Sequence, residues 1–97
     1  MNMNKPMNTN IFIIVAVKDE LTGVFLQPNF GTNTEEMIRL FRYQIRNTPL
    51  WKSNASDFSL YKLATYNQET GEIIPSFEKL INGRAMIEAR EVPRDDL

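Results

Sequence analysis

Apolar residues recur along this chain in two periods, and each predicts elements. Ile11-Phe12-Ile13-Ile14-Val15-Ala16-Val17 is apolar at every position and rich in β-branched side chains, the pattern of a central strand covered on both faces. Lys18 to Gly23 is a polar turn. Val24-Phe25-Leu26-Gln27 returns as a strand, ended by Pro28, which cannot donate to a ladder. Beyond Gly31 the period becomes helical, with Met37, Ile38, Phe41 and Ile45 on one stripe. Thr32 with Glu35, or Asn33 with Glu36, makes a capping box, and Pro49 stops the helix after Asn47-Thr48. Leu50 to Ser56 reads as a loop, and Asp57 to Tyr66 as the third strand. In that strand Phe58, Leu60 and Ala64 share one face with Lys62, and Ser59, Tyr61, Leu63 and Thr65 share the other. Asn67 to Gly71 is a hairpin loop in which Gly71 suits a positive φ. Glu72-Ile73-Ile74 is a short fourth strand closed by Pro75. A turn of helix over Phe77 to Ile81 and a second helical stretch from Arg84 follow.

The order β-β-α-β-β predicts an α+β domain: a four-stranded antiparallel sheet with one main helix packed on one face. Residues 1–10 read as a flexible arm, 11–90 as the single domain, and 91–97 as a loose tail. One helix covers one face only. The apolar residues on both alternations of the first strand then need a second cover. The segment carrying Phe77, Leu80, Ile81, Met86 and Ile87 supplies it, or a second subunit does. The latter predicts a homo-oligomer.

Composition narrows the function by exclusion. A chain of 97 residues makes one domain and buries about 60–65% of the surface its unfolded form exposes. It contains no Cys and no His, so Ser-His and Cys-His nucleophile pairs and the commonest zinc ligand are excluded. It carries no glycine-rich phosphate loop. Asp19-Glu20 and Asp95-Asp96 are adjacent pairs, which points them apart and makes them solvated turn residues. We expect no enzyme activity, no cofactor and no metal. The longest apolar run, Ile11 to Val17, is far short of the ~18 residues of a membrane span, and with Lys5 alone before it and no small-residue cleavage site after it a signal peptide is not expected. The expected setting is cytosolic.

The net charge of −1 hides a division. Residues 37–63 carry Arg39, Arg42, Arg46, Lys52 and Lys62 against Asp57 alone, while the two flanking segments are acidic. Three of these cations, Arg39, Arg42 and Arg46, form a ridge roughly opposite the apolar stripe of the helix. Guanidinium forks suit phosphate or carboxylate. Tyr43 lies beside the ridge, and Trp51 and Lys52 follow it. Aromatic side chains interleaved with cations suit single-stranded nucleic acid. The plain structural alternatives are that the arginines are a solvated helix face, paired with Glu35 and Glu36, and that Trp51 caps the edge of the core.

Leu26-Gln27-Pro28-Asn29-Phe30, Ile38-Arg39-Leu40-Phe41, Asp57-Phe58-Ser59-Leu60-Tyr61, then Tyr66 and Thr70-Gly71, stand in an order and spacing that resembles a known family. It is the small nonstructural protein of gokushovirus-type microviruses, tailless phages with single-stranded circular DNA. The resemblance covers about residues 11–83. Arg39 and Phe41 match the family motif; Arg42 and Arg46 rest on the helix argument alone. The resemblance implies a non-enzymatic phage protein of the host bacterial cytoplasm, absent from the virion, that binds DNA in viral DNA synthesis or packaging. Two readings follow. In the first, Arg39, Arg42, Arg46 and Lys52 hold the phosphates of single-stranded DNA while Tyr43 or Trp51 stacks on bases. In the second, the chain is a homodimeric interaction module that engages phage or host replication or capsid proteins without touching DNA.

Overall fold

The computed structural model describes residues 10–88. In chain order the elements are β1 (Ile11–Asp19), β2 (Val24–Phe25), β3 (Asn29–Gly31), α1 (Thr34–Asn47), α2 (Pro49–Ser53), a 3-10 turn (Ala55–Asp57), β4 (Phe58–Asn67), β5 (Ile73–Asn82) and α3 (Gly83–Glu88). The fold is α+β, with an antiparallel sheet of five strands and one main helix. The expected arm lies outside the described residues except for Asn10, whose carbonyl accepts from the Gln68 N–H at 2.7 Å. The expected tail lies outside them entirely.

β1 is the centre of the sheet, as its unbroken apolar run predicts. β4 pairs along its whole length on one side, from Ile11↔Asn67 to Asp19↔Phe58. On the other side lie β2, through Lys18↔Phe25, and β3, through Ile14↔Phe30. These two short strands are one returning strand interrupted at Gln27-Pro28. The strand expected over Val24 to Gln27 therefore does not end at the proline: pairing resumes at Asn29, which makes five strands rather than four. β5 pairs with the far side of β4.

Local chemistry explains the helix ends. The Asn33 side chain accepts from the Glu36 N–H at 2.8 Å, and the Thr32 hydroxyl donates to the Glu36 carboxylate at 2.8 Å. Asn33 is thus the N-cap, while the Glu36 carboxylate that the expected box would turn back to the Asn33 N–H is engaged by Thr32 instead. Pro49 both stops α1 and starts α2, since a missing N–H costs nothing in the first turn of a helix. The segment expected as a loop over Leu50 to Ser56 therefore holds α2 and the start of the 3-10 turn.

The largest correction lies at the C-terminal end. The expected short strand and helical turn are one strand of ten residues, β5, which runs through Pro75. A proline is tolerated there because β5 is an edge with a partner on one side only. The helix-like spacing of Phe77, Leu80 and Ile81 comes from a register shift: Tyr61 pairs with Lys79 but Leu60 pairs with Ile81, leaving Leu80 as an extra residue. The bulge turns Leu80 and Ile81 toward the same core, which is what the spacing mimicked.

One core fills the space between the sheet and the helices. Met37, Phe41 and Ile45 of α1 meet Ile13 and Val15 of β1, Phe58 and Leu60 of β4, Ala55 and Met86. Ile38, Leu80, Ile81 and Ile87 pack around them. The C-terminal segment thus joins the core on the α1 side of the sheet; of the residues expected to cover the opposite face, only Phe77 turns toward it. α3 fits closely because it begins at Gly83, where a Cβ would run into the Ala55 carbonyl oxygen.

Phe41 is 1% exposed, so Phe41→Ala should lower unfolding free energy by about 3–5 kcal/mol in urea titration. Gly83→Ala should cost about 1–3 kcal/mol in the same assay, because the obstructing atom is backbone and cannot rotate away.

Candidate functional site

The packing of α1 divides the arginine ridge. Arg39 is exposed, and no ion pair joins it or Arg42 to a carboxylate among the described residues. Arg42 sits on the flank of the helix, half-buried, and its Nε is buried without a hydrogen-bond partner among the described residues. Arg46 turns inward: its Nε donates to the Met86 carbonyl at 3.1 Å and ties α1 to α3. Tyr43 is 65% exposed and Leu40 46%. With Glu36, Met37 and Arg39 these two side chains line an open hollow of about 450 Å³. Lys52 is exposed on α2. Trp51 stacks on Phe58, with ring centroids 4.7 Å apart and planes 18° apart, and packs against the core. Of the six residues singled out from sequence, Arg39, Arg42 and Tyr43 come together on α1, and Arg46 and Trp51 have packing contacts of their own.

The opposite face of the sheet was not anticipated as a site. The register places Ala16, Tyr61 and Lys79 side by side on it, next to Lys18 and Ser59. A second register shift, at Leu63, moves Ala64 to this face beside Ile14. The Tyr61 ring lies 5.3 Å from Phe25 and 5.1 Å from Phe77. The Lys18 ammonium stands 5.5 Å from the Phe25 ring and 5.6 Å from the Tyr61 ring, and Lys79 stands 5.9 Å from the latter. Glu20 holds this end together. Its carboxylate pairs with Lys79 at 3.3 Å and Lys18 at 3.6 Å and accepts from the Tyr61 hydroxyl at 3.1 Å. Burial pushes the Glu20 carboxyl up, but hydrogen bonds from Ser59, Tyr61 and Lys79 and the Lys79 charge outweigh it, and the net shift is down. At the other end of the face Phe30 meets Tyr66 edge-on at 5.4 Å, beside Phe12 and Ile73. Among the described residues, every helix packs on the α1 side.

The Phage ORF5 protein family matches residues 12–87 of this sequence. The chain belongs to that family. The matched span runs from β1 into α3, so this Phage ORF5 protein carries both surfaces within the family's own region. Neither the curated proteins nor the solved structures contain a match to it. Among the described residues of the Phage ORF5 chain, no cluster of three or more acidic, His or Cys side chains is placed to hold a metal ion. No helix among them is long and apolar enough to cross a membrane.

The second surface had a signal in the sequence: the apolar residues on both alternations of the first strand. What that signal lacked was the partner strands, since Phe25, Phe77 and Lys79 reach Tyr61 only through pairing.

The lowered Glu20 pKa makes a prediction with a definite sign. A carboxylate whose folded pKa lies below its usual value of 4.5 adds stability above that pH, and the contribution is lost as pH falls through the folded pKa. Glu20→Gln should therefore melt below the parent at neutral pH. The difference should close as the pH is taken below the ordinary carboxylate range, in thermal melts followed by circular dichroism.

Proposed function

We propose that this Phage ORF5 protein is a non-enzymatic accessory protein that binds single-stranded DNA in viral DNA synthesis or packaging, in the host bacterial cytoplasm of a gokushovirus-type phage. The observation that carries the reading is the outer face of α1. There an exposed Arg39 stands with Leu40 and Tyr43 around an open hollow, and a half-buried Arg42 lies on the adjoining flank of the helix. Hollows of this size accept small ligands (~300–1,000 Å³), so a nucleobase fits against Tyr43 while its phosphate meets Arg39. Lys52 adds a third cation on α2. Glu36, the carboxylate on the rim, is already engaged by the Thr32 hydroxyl.

Phosphate contacts dominate such binding, so salt is the discriminating variable. With Arg39, Arg42 and Lys52 on phosphates, log K against log salt should have a slope of about −2, at roughly −0.7 per contact. Fluorescence anisotropy of a labelled thymidine oligonucleotide across a KCl series measures it. Replacing Arg39 and Arg42 together by Gln should remove about two thirds of the slope without unfolding the domain. Tyr43→Ala should weaken binding by about 1–3 kcal/mol at constant slope. An unchanged affinity and slope in the double Gln variant would show that the arginines are surface decoration.

A further inference from the structure

We infer that the face of the sheet opposite α1 is the interface between two copies of this chain. The face is apolar and open. Phe77 is 67% exposed, Phe30 58% and Ile73 56%, all turned away from the core. The shortest extent of the molecule is 17 Å, about one helix layer on one sheet, and among the described residues no element lies on this face. Its size is right for a dimer. β4 and β5 are ten residues each. At about 3.3 Å per residue and 4.8 Å between strands, four strands present roughly 600 Å² in flat projection, and side-chain relief adds to that. A stable interface of ordinary size takes about 800 Å² per partner.

Charge selects a second copy over nucleic acid as the occupant. The charged groups of the aromatic cluster are Lys18 and Lys79 against Glu20, which already pairs with both. A net of one positive charge is too little for an affinity that rests on phosphate contacts. The far end of the face, Phe12, Ile14, Phe30, Tyr66 and Ile73, carries no charge at all. An uncharged aromatic patch can lie on its own copy across a two-fold axis without conflict. A two-fold axis along the strands stacks the whole face on its copy, seating Phe30 of one copy over Ile73 of the other, and leaves the Lys18–Glu20–Lys79 cluster toward the wet rim at the opposite end of the strands.

This interface is separate from the α1 surface, and its test does not depend on DNA binding. Sedimentation of the full chain at micromolar concentration should give a dimer. Phe30→Asp and Ile73→Asp should each raise the dimer dissociation constant at least ~30-fold, as expected for central residues of an interface. Both positions are more than half exposed, so circular dichroism should show the monomer still folded. Lys79→Ala, at the rim, should change the constant by less than about threefold. A monomeric parent overturns the proposal. So does a dimer indifferent to Phe30→Asp and Ile73→Asp, which would place the contact elsewhere. Loss of the Phe30 and Tyr66 ring signals in NMR on adding a thymidine oligonucleotide to the dimer, with release of monomer, would make the face a base-stacking platform and overturn it as well.

Discussion

The contact on which the rest of this structure depends is the burial of Phe41 and Ile45 between the sheet and α3. Both side chains are essentially inaccessible, at 1% and 0% exposure. Their burial sets the rotation of α1 about its own axis. At about 100° per residue, Arg39 is then carried about 160° away from Phe41. Arg42 falls only about 60° from Ile45, which explains why its Nε is buried while the residue keeps some exposure. Arg46, one turn further on, reaches the carbonyl of Met86. Three residues of one type on one helix thus meet three environments.

Register shifts at Leu63 and Leu80 are the second organising feature. Each inserts one residue and exchanges the faces of everything beyond it. At Leu63 the shift gives the far face a small buried residue, Ala64, where strict alternation would have put it toward α1. At Leu80 it gives the core two adjacent apolar side chains from an edge strand. The result is an asymmetric sheet. One face is sealed by three helices, and the other carries rings held together by Lys18, Glu20 and Lys79. Glu20 accepts from Tyr61 and pairs with both lysines, so the polar groups at that end satisfy one another.

The two surfaces point in opposite directions. A cationic helix face bears too few charges for tight binding alone. In the dimer proposed above, two copies joined sheet to sheet would present two such faces, and linked sites bind more tightly than either one without any new contact. On those two proposals the apolar sheet face and the arginine-bearing helix are complementary surfaces rather than competing candidates for a single site.

Much of this was legible in the chain. The strand over Ile11 to Val17, the helix from Thr34 to Asn47, the cap at Asn33, the hairpin with Gly71 at φ 80 and the α+β class follow from local periodicity and turn chemistry. These properties depend on residues within a few positions of one another. Pro75 and the spacing of Phe77, Leu80 and Ile81 pointed to a strand end and a helical turn, because a bulge on an edge strand imitates helical spacing and only the partner strand reveals it. On the functional side, sequence alone marked Arg39 and Tyr43 as surface candidates on α1. Which arginines stay available, the stacking of Trp51 on Phe58, and the gathering of Phe25, Tyr61, Phe77, Lys18, Glu20 and Lys79 were settled by tertiary structure. Those residues lie on different elements, and pairing and packing across tens of positions decide which side chains meet.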